Sequence, residues 1–198
     1  MLKKATFTVY AIVILVMAMA TFIEKTQGTP YVLNTIYGAC GIAVKYDKNY
    51  RNQFHKKINI KNNKIHAVTA EGIAYYNVVG GTISGNTVRT DATQKTDGML
   101  YTCGISILSF GEAPSSMASS TITVKKNTIY GNRNGVFVKA YFTNHDTRCP
   151  GKFGTVQIQG NKIYCKMSRA GSVSHIPGSA VNYIDKSNRK YQWKKKTR

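Results

Sequence analysis

Carboxylates are scarce in this chain. Only 8 Asp and Glu stand against 28 Lys and Arg in 198 residues, a formal charge of +20 at pH 7. The few acids are also dispersed: no adjacent acid pair occurs, although Asp91 and Asp97 share one loop. Glycosidases work with two carboxyl groups flanking the scissile bond, so this composition weighs against them. Cys-x-x-Cys and Cys/His spacings of the zinc-binding kind are missing, which weighs against a structural zinc site. No long helical period runs through the chain, and after residue 25 no apolar run is long enough to cross a bilayer. The chain after residue 25 therefore offers no further membrane-spanning helix.

What the chain has instead is a phrase that recurs four times. It reads Ile60-x-x-Asn63-x-Ile65, Ile83-x-x-Asn86-x-Val88, Val124-x-x-Asn127-x-Ile129 and Ile158-x-x-Asn161-x-Ile163. A second phrase lies between the copies: Gly41-Ile42-Ala43-Val44, Gly72-Ile73-Ala74-Tyr75, Gly104-Ile105-Ser106-Ile107 and Gly135-Val136-Phe137-Val138. Its glycines are 31, 32 and 31 residues apart. Self-similarity at a fixed period marks a repeat architecture. One copy cannot bury its apolar face alone, so the copies must stack. The period-two alternation predicts strands of about three to five residues, three per copy. Asn suits the corner between two strands because it tolerates left-handed backbone angles. Stacked Asn side chains can also bond each other as a ladder. On the Gly-Ile strand, Ile73, Ile105 and Val136 should point inward, which leaves Ala74, Tyr76, Ser106, Leu108, Phe137 and Lys139 facing a groove.

Over about residues 40–183 these phrases resemble the right-handed parallel β-helix repeat of the pectate-lyase-like family. The resemblance implies an all-β fold, a right-handed parallel β-helix of about four coils. It also implies a substrate groove walled by loops beside the Gly-Ile strand and a polysaccharide as ligand. The family's calcium-dependent lyases hold their metal on acidic residues of that strand. Here the strand carries none, so neither metal nor other cofactor is expected.

Residues 1–25 open with Lys3 and Lys4, followed by 19 uncharged residues from Ala5 to Ile23. That length crosses a bilayer as a helix. A cleaved signal peptide, with Ala18-Met19-Ala20 as its cleavage site, is the competing reading. Either way the lysines stay cytoplasmic and the rest is exported. The expected location is the inner membrane facing the periplasm, or the cell surface or exterior. The string Ala5 to Gly38, with ATFIE followed by GT, resembles the first membrane span of ResB-family cytochrome c biogenesis proteins. That resemblance implies an anchor and its orientation. The expected organisation is an anchor or signal at 1–25, a linker or cap at 26–40, the β-helix at 41–184 and a basic tail at 185–198.

The charge draws polyanions: acidic polysaccharide, anionic lipid or nucleic acid. Export places nucleic acid last. The expected function is therefore binding of acidic polysaccharide by a membrane-anchored β-helix. Tyr76 and Phe137 would stack on sugar rings while Lys139 holds a carboxylate or sulfate. A polysaccharide lyase or glycosidase of the pectate-lyase-like superfamily is the enzymatic alternative; as a lyase it would use Lys139, His145 and Arg148 to neutralise a uronate and remove its neighbouring proton. A structural or adhesion stalk is a third reading, and cytochrome c biogenesis a fourth, resting on the N-terminal string alone. Among the four cysteines, Cys40 and Cys103 fall two rungs apart, about 9–10 Å, beyond disulfide reach. A Cys149–Cys165 pair stays open.

Overall fold

The computed structural model describes residues 30–32, 35–38, 41–44, 54–93, 102–109, 114–140, 152–166 and 172–192. Their strands visit three sheets in rotation. Sheet A holds β1 (Pro30–Val32), β4 (His55–Lys61), β7 (Val78–Ser84), β10 (Thr121–Lys125), β13 (Phe153–Gln159) and β16 (Ala180–Lys186). Sheet B holds β2 (Thr35–Gly38), β5 (Lys64–Ala67), β8 (Thr87–Thr90), β11 (Thr128–Gly131), β14 (Lys162–Cys165) and β17 (Arg189–Gln192). Sheet C holds β3 (Ile42–Val44), β6 (Ile73–Tyr76), β9 (Ile105–Ser109), β12 (Val136–Ala140) and β15 (Val173–His175). Each strand pairs in parallel with its counterpart one coil away. This is the winding of a parallel β-helix.

The repeat phrases stack in register, as their spacing predicts. Ile60, Ile83, Val124 and Ile158 form one interior column, and Ile65, Val88, Ile129 and Ile163 form another. All eight side chains are buried. Ile42, Ile73, Ile105 and Val136 form the third column, on sheet C. The glycine before each of these residues exists for packing. A Cβ at Gly72, Gly104 or Gly135 would collide with the branched side chain of Val88, Ile129 or Ile163. A short helix, α1 (Ser115–Ala118), precedes β10 and seats Met117 in the same core.

The ladder expected at the corner is present, and it reaches Asn188. Asn86 Nδ2 donates to Ile60 O at 2.9 Å and to Asn127 Oδ1 at 3.0 Å, and that oxygen also accepts the Asn86 backbone N–H at 2.9 Å. The same pattern links Asn127 to Asn161 and Asn161 to Asn188. One expectation needs correcting. The left-handed backbone angle falls one residue before each ladder Asn, at Asn62, Gly85, Lys126, Gly160 and Ser187, with φ between 55° and 67°. The ladder residue is therefore selected for its amide, which serves buried carbonyls that would otherwise lose their partners.

The solenoid is longer than about four coils. Five coils have three strands and a sixth has two. The first begins at Pro30, within the expected linker, and the last ends at Gln192, within the expected tail. The final coil repeats the Asn phrase with its apolar positions replaced: Asp185-x-x-Asn188-x-Lys190. Asp185 pairs with Ile158, and Lys190 with Ile163. Lys190 Nζ lies 2.6 Å from Asp185 Oδ2, and Asn188 Nδ2 donates to Asp185 Oδ1 at 2.7 Å. An ion pair thus ends the two Ile columns. Beside it, Tyr183 stacks on His175 with ring centroids 4.0 Å apart. Polar terminal repeats of this kind keep solenoids soluble. The expected anchor at 1–25 lies outside the described residues. Among the described residues no helix is long and apolar enough to cross a membrane.

Candidate functional site: a basic ridge beside an aromatic row

The expected groove on sheet C is closed at the positions chosen for it. Tyr76 is 6 % exposed and Phe137 1 %. They join Ala74, Cys103 and Leu108 in a second apolar cluster on the outer side of the sheet. The alternation correctly separated the two faces of these strands. The outward face is itself apolar, however, and burial there lowers the free energy as it does inside. Sugar stacking at this place has no open ring to use. Tyr76 instead donates its hydroxyl to Oε1 of the buried Glu71. Lys139 is half-buried and pairs with Leu108 along the sheet. His145 and Arg148 lie outside the described residues, so the expected trio is described only at Lys139. Cys103 and Cys165 are buried, and Cys40 and Cys149 lie outside the described residues. Burial pushes the Cys103 thiol up to about 12, and the Glu71 carboxylate adds to this effect.

The open chemistry is at the Asn corner, where sheet A turns into sheet B. Sheet A strands end there in Lys61, Lys125 and Lys186, and sheet B strands begin in Lys64, Lys162 and Arg189. Lys126 sits between them on the corner itself. These seven residues are exposed or half-exposed. They occupy the second, fourth, fifth and sixth coils, so the ridge runs about 19 Å at the usual strand spacing. Three carboxylates occur among the described residues, and each is buried or bonded to a side chain outside the seven. Glu71 is buried, Asp91 binds His66 and Arg89, and Asp185 binds Lys190.

Beside the ridge, the outer face of sheet B carries one row of rings and cations. Tyr37, His66, Arg89, Tyr130, Tyr164 and Tyr191 occupy the same position in successive coils. Tyr130, Tyr164 and Tyr191 stack face to face, with centroids 4.7 Å apart at each step and planes within 14°. Tyr37 meets His66 edge-on at 5.0 Å. Asp91 accepts from Arg89 Nε at 2.9 Å and lies 2.7 Å from His66 Nε2. Partial burial pushes the Asp91 carboxyl up, but bonds and charge from Arg89 and His66 outweigh it and hold the carboxyl below its usual range. Partial desolvation, then the neighbouring phenols, raise the Tyr164 hydroxyl.

These residues can bind a polyanion, and a signal for them existed in the sequence. His66, Arg89, Tyr130, Tyr164 and Tyr191 each stand three positions after a ladder Asn, one past the phrase's last position, which is Ile or Val except at Lys190. Among the described residues no group of three His, Cys, Asp or Glu side chains is placed to hold a metal ion. Comparison with protein-family models, with curated proteins and with solved structures finds no match.

Proposed function

We propose that this protein is an exported, membrane-anchored, right-handed parallel β-helix that binds acidic polysaccharide along the ridge at the Asn corner. One observation carries the reading: seven cations line the corner over about four strand spacings, while the three carboxylates among the described residues are buried or paired with other side chains. Such a line concentrates field and draws an extended anion. The regular backbone beneath it holds the cations in fixed positions on the second, fourth, fifth and sixth coils, so little ordering entropy is lost on binding. Membrane attachment and export rest on the apolar run from Ala5 to Ile23 after Lys3 and Lys4.

The test is binding of uronate and sulfated glycans to the full-length, detergent-solubilised protein over a range of salt. Affinity should fall steeply with salt, because exposed charges are screened. Lys125→Ala and Lys162→Ala should each weaken binding by roughly twofold to fivefold at low salt. Binding that ignores both substitutions would overturn the ridge. Ultraviolet absorbance from unsaturated uronate, lost in Lys139→Ala, would replace simple binding with a lyase reaction.

A further inference from the structure

We infer that the outer face of sheet B reads the repeat of its ligand, binding an acidic glycan laid across the strands with one sugar unit per coil. This rests on the polysaccharide reading and adds what that reading leaves open, the direction and register of the chain. Each coil from the second to the sixth presents two outward positions on this face, two residues apart in one strand and so about 6–7 Å apart. The fifth coil offers Lys162 and Tyr164, and the sixth Arg189 and Tyr191. The second offers Lys64 and His66, and the third Thr87 and Arg89. The same pair of functions, a hydrogen-bonding or charged group followed by a ring or cation, therefore recurs at one coil's pitch. A ligand that uses successive coils equally must have a repeat near that pitch. A pyranose chain advances about 5 Å per unit, close to the 4.7–4.9 Å between strands. The phosphates of a nucleic acid duplex advance about 3.4 Å per strand and drift out of step.

The stacked tyrosines define the mode of contact. Tyr164 has both ring faces covered, and Tyr130 and Tyr191 each turn one face to it, so the faces inside the stack are closed to sugar rings. The hydroxyl edges remain, spaced by one coil. The raised Tyr164 hydroxyl stays protonated at neutral pH and donates. Lys162 and Arg189, on the same face of the same strands, supply the charge for a carboxylate or sulfate on each unit.

The probe is a series of oligogalacturonates from disaccharide to octasaccharide, titrated into the full-length protein in detergent. Affinity should rise with each added sugar and level off at roughly six, the number of coils in sheet B. The double variant Tyr164→Phe/Tyr191→Phe keeps the stack and removes two hydroxyls. It should melt at the wild-type temperature and bind roughly twofold to tenfold more weakly per hydroxyl lost. The loss should be the same at every salt concentration, whereas Lys162→Ala should reduce the salt dependence itself. Wild-type affinity in the double variant, with normal binding otherwise, overturns the register and leaves the ridge standing. Affinity that levels off at the disaccharide does the same. Failure of the wild-type protein to bind any acidic oligosaccharide overturns both. Tighter binding of a single-stranded nucleic acid than of the longest oligosaccharide overturns the glycan assignment.

Discussion

Asn127 shows how much one side chain carries here. Its Nδ2 serves Ile83 O at 2.9 Å and Asn161 Oδ1 at 3.0 Å, and its Oδ1 accepts from the backbone and side chain of Asn86. All of these groups are buried, where an unmet donor or acceptor costs about 1–3 kcal/mol. Asn127→Ala should therefore lower unfolding free energy by about 3 kcal/mol, read as a drop in urea midpoint with unchanged m-value. Asn188 is only part-buried and ends the ladder, so Asn188→Ala should cost clearly less. Equal losses at the two sites would show that the ladder does not act through buried partners. The thiol of Cys103 gives a second residue-scale expectation. With the thiol pushed up to about 12 by burial, thiolate is negligible near pH 8. Peptide mapping after brief alkylation of native protein should find Cys103 unmodified, and addition of denaturant should expose it. Rapid labelling in the native state would contradict its burial.

At the scale of elements, the last coil differs from the others in a way that has a use. A parallel β-helix ends in an open strand edge and an open core, and both invite another chain. The ion pair of Asp185 and Lys190 closes the two Ile columns with charge. Asp185→Ile/Lys190→Ile should restore the repeat phrase in full and leave an apolar end. The double variant should fold and then associate end to end, with mass rising with concentration in analytical ultracentrifugation. A strictly unchanged oligomeric state would show that the pair has no part in limiting association. The elements also show what the periodic pattern could convey. Strand positions, the three-sheet rotation and the inward Ile and Val residues were legible because each repeats at a fixed period. The last coil escaped notice because Asp185 and Lys190 stand where the pattern expects Ile, and the first because Tyr31 stands there. The burial of Tyr76 and Phe137 escaped because alternation assigns residues to a face and cannot say what packs upon that face.

Across the whole molecule, the candidate site is assembled from residues far apart in the chain. Lys61, Lys125 and Lys186 approach only because three separate sheet A strands end at one corner. The intervals between coils vary, from 23 residues between Ile60 and Ile83 to 41 between Ile83 and Val124. No fixed sequence window therefore contains the ridge. The basic composition pointed to a polyanion, which any distribution of 28 Lys and Arg would have done. Repetition of short apolar phrases around Asn and Gly determined the fold, because only stacking satisfies their apolar faces and buried amides at once. Which surface stays open was decided by the tertiary structure alone. Sheet C sealed its outer face with apolar contacts, while the Asn corner gathered cations whose like charge keeps that surface in water.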